Sequence, residues 1–108
     1  MAESFNDKAA FDKCLAEAAA SKKITVVDFT ASWCPYSQRI EPKFKAFAKD
    51  FKNINFRLCD VESSCANGAN VSAMPTFKFY KDGKEIAEDT LEGANDIELK
   101  KLLEKHNK

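Results

Sequence analysis

A largely apolar stretch from Ile24 to Phe29 leads through a short connection into a helix that begins near Pro35. Strands covered on both faces of a sheet have such apolar runs, so residues 24–29 are expected to form a central parallel strand. Apolar residues at helical spacing indicate the helix, namely Ile40, Phe44, Phe47, Ala48 and Phe51. A buried strand followed closely by an amphipathic helix indicates an α/β architecture.

The rest of the chain continues this alternation and then changes to a hairpin. The further predicted elements are a helix from about Lys8 to Ala20, a strand from Ile54 to Val61, a short irregular or helical piece over 63–71, a strand from Thr76 to Tyr80, its hairpin partner from Glu85 to Leu91, and a helix that begins near Asn95. Glu98 follows Asn95 at the spacing of a capping box. An opening strand near Ser4 and Phe5 is weakly signalled, and Pro42 predicts a kink in its helix. The order implies a central mixed β-sheet flanked by helices on both faces.

Composition limits both the size and the partners of the fold. The 108 residues suit a single domain over 1–108, and a hydrophobic fraction of 44% with nine Phe can fill one core. Lys plus Arg and Asp plus Glu both total 17, so bulk charge argues against nucleic-acid or membrane-surface binding. Apolar runs stay well short of the ~20 residues that span a bilayer.

The expected cellular compartment bears on the state of the cysteines. Residues 1–8 are polar and lack the apolar core of a signal peptide, so the default location is cytoplasmic. Structural disulfides are rare there, and the four cysteines are therefore expected to be free or reactive thiols. They do not form two CxxC pairs, which argues against a zinc site, and no metal or cofactor is expected. The cysteines are Cys14, Cys34, Cys59 and Cys65.

Cys34 stands where the buried strand gives way to the helix. The first N–H groups of a helix lack intrahelical partners, and with the helix dipole they stabilise a negative charge. A cysteine at the N-cap therefore loses its proton more readily than a free thiol of pKa about 8.5. Pro35 suits the first helical position, and Ser37 lies on the same side of the helix as Cys34. The sequence thus predicts that Cys34 is the reactive thiol rather than a small buried hydrophobic residue.

An ordered set of motifs resembles the landmarks of the thioredoxin family. They are Val26-Val27-Asp28-Phe29, Ala31-Ser32-Trp33-Cys34, Pro42, Met74-Pro75-Thr76-Phe77, Asp82-Gly83 and Gly93-Ala94. The resemblance spans nearly the whole chain. It implies the thioredoxin fold and attack by Cys34 on protein disulfides. It also implies a cis Met74–Pro75 bond facing Cys34, and a buried acid at Asp28 that helps to move a proton to or from the second family cysteine.

The same resemblance suggests a substrate-binding surface and partners. Trp33 and Tyr36 are expected to be exposed contact residues beside the thiol, and Gly93 to permit close approach near the substrate groove. The expected substrate-binding set is Trp33, Pro35, Tyr36, Met74, Pro75 and Gly93. The partners implied are protein disulfide substrates and a thioredoxin-reductase-like or glutathione electron donor, with the protein acting as a monomer.

The chain departs from the family pattern in three places. Ser37 stands where thioredoxins have the second cysteine of CxxC, and a hydroxyl cannot form the disulfide that releases a product. The Pro35-Tyr36 pair resembles glutaredoxin active sites, and the segment 62–75 looks short. Ser37 is either natural, which makes a monothiol protein, or an engineered change that traps the mixed disulfide. These two origins remain open from the sequence.

The remaining cysteines and His106 carry weaker signals, and other functions also fit the sequence. Cys14 and Cys59 are expected to be inert small core residues, Cys65 an exposed extra thiol, and His106 a complement to the dipole of the last helix. The alternatives to thiol–disulfide exchange on proteins are a glutathione-linked monothiol or disulfide-isomerase-type protein and a non-catalytic peptide-binding module. A dimeric iron–sulfur carrier is the weakest alternative.

Overall fold

The elements of the fold follow the predicted order closely. The structure is a computed structural model that describes residues 3–5 and 7–107. The strands are β1 (Glu3–Ser4), β2 (Ile24–Thr30), β3 (Ile54–Asp60), β4 (Thr76–Lys81), β5 (Lys84–Glu85) and β6 (Leu91–Glu92), and the helices are α1 (Lys8–Ala20), α2 (Pro35–Asp50) and α3 (Asp96–His106). Asp7 and Asn95 cap α1 and α3 by accepting backbone N–H bonds from Ala10 and Glu98. Helix α2 continues through Pro42, so the kink stays a prediction.

The sheet is mixed, as the alternation followed by a hairpin predicted. Its strand order is β1-β3-β2-β4-β5, with β6 also paired to β4. Strands β1, β3 and β2 run parallel, while β4 is antiparallel to β2. Asp28 in β2 is flanked by Leu58 on β3 and Phe77 on β4. The central strand β2 is therefore enclosed by neighbours at both edges, which fits its apolar sequence.

Two hydrophobic clusters cover the two faces of the sheet. Residues of α2 and α3, including Phe44 and Leu99, pack on one face together with Val26. Phe11 and Leu15 of α1 pack on the other face with Phe29. Alternate residues of β2 point to opposite faces, so one short strand contributes to both clusters. The predicted helices on both faces are confirmed.

The segment after β4 differs from its prediction. A continuous partner strand was expected from Glu85 to Leu91, but a 3-10 turn at Ala87–Asp89 separates β5 from β6. The Asp89 side chain is buried and contacts Lys105 and His106 of α3 at 2.9 and 2.7 Å. This contact with α3 pulls the chain away from the sheet, which explains the interruption.

Two of the cysteines also differ from their prediction. Cys59 in β3 and Cys65 form a disulfide, with their Cα atoms 6.2 Å apart. Cys65 lies on a 3-10 helix, Ser64–Ala66, that folds back toward β3, and it is 1% exposed. The expectation of free thiols was therefore wrong for this pair, as was the predicted exposure of Cys65. Cys14 is a free thiol that packs against the hydrophobic cluster containing Phe11 and Leu15 of α1.

Candidate active site

Cys34 occupies the N-cap of α2. Its backbone has φ −98° and ψ 115°, an extended conformation, and its N–H donates to the Ala31 carbonyl at 3.1 Å. Its carbonyl accepts the N–H of Gln38 at 3.1 Å, which is the first bond of the helix. The Gln38 side chain donates to the same Ala31 carbonyl. The connection between β2 and α2 is thus held by hydrogen bonds, and the predicted N-cap position of Cys34 is confirmed.

The start of the helix makes Cys34 more acidic. The Ser37 backbone N–H is the main cause that lowers the pKa of the Cys34 thiol, and burial opposes it more weakly. The Ser37 hydroxyl and the Tyr36 N–H lower the pKa further. The Ser37 hydroxyl has no partner at normal hydrogen-bond geometry among the described residues. The Ser37 backbone N–H is therefore the main group that stabilises the Cys34 thiolate. Cys34 is only 7% exposed, so part of its side chain still reaches the surface.

The loop before β4 lies against the thiol. The Met74–Pro75 peptide is cis, as expected, and the Cys34 thiol donates to the Met74 carbonyl with Sγ and O 3.7 Å apart. The Gly93 N–H donates to the Pro75 carbonyl at 2.8 Å. Gly93 has φ +99° with open space at its Cβ position, so glycine is required there by the backbone conformation and not by a close neighbour within the chain. The tertiary fold brings these residues together from three separate stretches of the sequence.

Exposed aromatic rings flank the thiol. Trp33 is 60% exposed and Tyr36 57% exposed, so their predicted exposure is confirmed. The Trp33 indole N–H donates to Glu62 Oε1 at 2.9 Å, and the Arg39 guanidinium lies 5.4 Å from the Tyr36 ring centre. Both contacts fix the rings at the surface instead of in the core. Glu62 and Arg39 were not identified from the sequence, because neither lies in a recognisable motif.

Asp28 is fully buried beneath the site, as expected. Neither carboxyl oxygen has a hydrogen-bond partner among the described residues. Burial first, and the negative charge of Glu41 second, raise the pKa of Asp28 to about 8. The carboxyl group is therefore largely protonated at neutral pH, as an unpaired acid in an apolar environment should be.

Comparisons with known proteins agree with this geometry. The Thioredoxin family model matches residues 3–105. The chain belongs to the thioredoxin family. A thioredoxin of Geodia cydonium is 44% identical over 101 residues, which cover 92% of each chain. Thioredoxin 1 of Plasmodium falciparum is 36% identical over 108 residues, or 98% of each chain.

Solved thioredoxin structures have the same fold. The Fasciola hepatica thioredoxin is 36% identical, with a TM-score of 0.88 over 96% of this chain and 98% of that one. A Plasmodium falciparum thioredoxin superposes with a TM-score of 0.87 over the same shares. Thioredoxins are thiol–disulfide oxidoreductases, and this chain is a thioredoxin-type redox protein.

His106 lies outside the set of site residues. His106, expected to complement a helix dipole, contacts Asp89 and stacks beside Phe79 with ring centres 5.2 Å apart.

Across residues 3–5 and 7–107, no cluster of three or more His, Cys, Asp or Glu side chains is arranged to hold a metal. Within the same residues, no helix is long and apolar enough to cross a bilayer.

Proposed function

We propose that the chain exchanges disulfides on protein substrates through Cys34, with Ser37 in place of the resolving cysteine. The observation that carries this proposal is the position of Cys34. Its thiol sits at the N-terminus of α2 with a lowered pKa, between the Met74 carbonyl and the exposed Trp33 and Tyr36 rings. This placement combines nucleophilicity with an open contact surface.

The exchange begins with the Cys34 thiolate. Its sulfur attacks one sulfur of a substrate disulfide, the substrate S–S bond breaks, and the second substrate sulfur leaves as a thiolate that takes a proton from water. A mixed disulfide between Cys34 and the substrate remains. In this step the substrate gains one thiol and the Cys34 sulfur is oxidised to the disulfide level.

Ser37 determines how the mixed disulfide is resolved. Its hydroxyl is buried beside Cys34 but cannot form an S–S bond. An external thiol, such as glutathione, must attack the Cys34 sulfur, which breaks the bond to the substrate, releases the reduced substrate as a thiol and leaves Cys34 bonded to the external thiol. A second external thiol then attacks the sulfur of the first, which frees the Cys34 thiol and forms the oxidised disulfide of the two external thiols. A glutathione-linked cycle is therefore the expected route, and a thioredoxin-reductase-like donor alone is expected to support it poorly.

Asp28 is proposed as the buried acid of the site. Family resemblance assigns this position to proton movement with the second cysteine, and here that position holds Ser37. A serine hydroxyl does not ionise near neutral pH, so the contribution of Asp28 to turnover should be smaller here than in a dithiol enzyme. The contact roles of Pro35, Met74, Pro75 and Gly93, a monomeric single domain and a cytoplasmic location are further proposals.

Restoring a second thiol tests the proposal directly. We expect the parent to form long-lived covalent adducts with a protein disulfide and to reduce insulin poorly with thioredoxin reductase and no glutathione. Ser37→Cys should remove the adducts and raise turnover by orders of magnitude, because an intramolecular thiol has a large proximity advantage. Ser37→Ala is the matched control and should behave like the parent. Non-reducing gels and the turnover rate are the measurements.

The Cys59–Cys65 pair supports a second candidate, in which the chain supplies its own dithiol. The two sulfur atoms are bonded to each other, although both side chains are buried. Equal turnover of parent and Ser37→Cys, together with loss of the parent's turnover in Cys65→Ala, would favour this route. Absence of any adduct at Cys34 would instead favour a peptide-binding module.

A further inference from the structure

A partly apolar groove lies between α2 and α3. Its first part is a cavity of about 340 Å³ whose apolar lining comes from Ile40, Pro42 and Ala94. A second cavity, which shares Lys43 and Asp96 with the first, extends past Phe47 to Ile97 at the start of α3. The large hydrophobic side chains exposed among residues 3–5 and 7–107 are Trp33, Tyr36 and Ile97. Ile97 is 67% exposed, and nothing within the fold accounts for an isoleucine at this position.

The rim of the groove is basic although the whole chain has a formal net charge of zero. Its cations are Arg39, Lys43, Lys100 and Lys101, and its acids are Asp96 and Glu104. Lys43 lies 4.0 Å from Asp96. Within the described part of the chain, Arg39 and Lys100 are not in any ion pair. The groove therefore presents unpaired positive charge beside exposed apolar surface.

Helical spacing places the groove on the face of α2 that also carries Tyr36. Tyr36, Arg39 and Lys43 are spaced three and four residues apart on α2, so they share one face of the helix. At 1.5 Å per residue, Lys43 is roughly 13 Å along the axis from Cys34. An extended peptide covers that distance in about four residues. A substrate cysteine at Cys34 thus places its neighbouring residues at the groove.

We propose that this groove binds an acidic segment of the disulfide-bearing protein on which Cys34 acts. The segment carries a carboxylate about two to five residues from the attacked cysteine and an apolar side chain that rests on Ile97. This inference rests on the proposed function and adds the class of substrate. A carboxylate would pair with Arg39 or Lys43, and the basic rim would also raise the rate of encounter at low ionic strength.

Peptide disulfides of matched sequence test the proposal. The first peptide carries Asp and Leu within about two to five residues of its cysteine. The second has Lys in place of that Asp, and the third has Ser in place of that Leu. 2-Hydroxyethyl disulfide serves as a neutral reference. The rate of mixed-disulfide formation with the full chain is measured at low and high salt. We expect the Asp–Leu peptide to react roughly five- to tenfold faster than the Lys–Leu peptide at low salt, with the ratio falling toward one at high salt.

Variants connect that ratio to the groove. Arg39→Glu/Lys43→Glu should reverse the preference for the Asp–Leu peptide, and Ile97→Ser should slow that peptide toward the rate of Asp–Ser. Lys13→Glu/Lys81→Glu makes the same charge change on exposed residues of α1 and the far end of β4, and should keep the parent's ratio. Rates divided by that of the neutral disulfide remove any change in the reactivity of Cys34 itself.

The possible failures are distinguishable. If the neutral disulfide reacts but the peptide ratio stays near one, the groove does not select acidic segments and the proposed function stands. If both double variants change the ratio equally, net charge and not the groove is responsible, and the inference is wrong. If no disulfide forms an adduct with Cys34, the proposed function itself fails.

Discussion

At the scale of single residues, Asp28 makes the stability of the fold depend on pH. An unpaired carboxyl group buried in β2 has its pKa raised to about 8, whereas the unfolded chain has a carboxyl pKa of about 3.9. Unfolding therefore releases a proton between these two values, and the free energy of unfolding falls as pH rises from the unfolded pKa through the folded one. Stability lost in this window is the cost of keeping an acid in the core.

Asp28→Asn should consequently stabilise the fold. We expect the variant to exceed the parent by up to about 5 kcal/mol at pH 8, the energy that corresponds to a pKa difference of about 4, and to lose that advantage near pH 4, because the amide cannot ionise. Urea denaturation at both pH values gives the free energies of unfolding. Glu41→Gln is a useful companion, since removing the smaller cause should lower the pKa of Asp28 and produce a smaller gain. A variant no more stable than the parent at pH 8 contradicts the prediction.

At the scale of elements, the Cys59–Cys65 disulfide ties the 3-10 helix Ser64–Ala66 to β3. The sequence separation is 6, a short loop, for which chain entropy gives a stabilisation of about 2 kcal/mol. The expectation of free thiols came from the presumed compartment and not from geometry. Only the folded chain brings the two sulfur atoms together.

Reducing this disulfide should weaken the fold by about that amount, roughly 2 kcal/mol. The parent should lose stability when a reductant is added, Cys65→Ala should be insensitive to it, and the control Cys14→Ala should respond like the parent. A thiol titration of the unfolded, unreduced parent should count two free thiols, Cys14 and Cys34. Four titratable thiols without reductant would show that the pair is not oxidised.

At the scale of the whole molecule, Asp89 joins the C-terminal helix to the segment between β5 and β6. Burial by itself raises the pKa of Asp89, but hydrogen bonds and positive charge from Lys105 and His106 outweigh it and lower the pKa. For an acid with a lowered pKa, the added stability is present above the unfolded pKa and is lost as pH falls through the folded one.

Asp89→Asn should therefore destabilise the fold at neutral pH and matter little under strongly acidic conditions. Because Lys105 is more than half exposed, we expect a loss of only about 1 kcal/mol at pH 7. Thermal unfolding at pH 7 and near pH 3 makes the comparison. Lys101→Gln removes an exposed ion pair with Glu98 and should change stability at neither pH. An equal loss at both pH values would mean that Asp89 acts through packing alone.

Much of the fold could be predicted because its signals are local. Helix α1 has its predicted bounds, since capping by Asp7 and a run of helix formers act within a few residues. The apolar run at β2 and the helix after Pro35 likewise placed Cys34 at an N-cap before any tertiary contact was known. The alternation of helices and strands followed by a hairpin predicted the mixed sheet, and the family resemblance implied the cis Met74–Pro75 peptide.

The features that the sequence did not predict depend on residues that are distant in sequence or lie in no motif. The contact of Cys34 with Met74, the bond of Trp33 with Glu62 and the contact of Asp89 with His106 join separate segments. Hydrophobic periodicity specifies which face of an element is buried, but not which polar side chain of another element it meets. Local sequence signals therefore predicted most of the elements and the N-cap position of Cys34. Packing of those elements decided the cysteine pairing, the split of the last hairpin and the groove between α2 and α3.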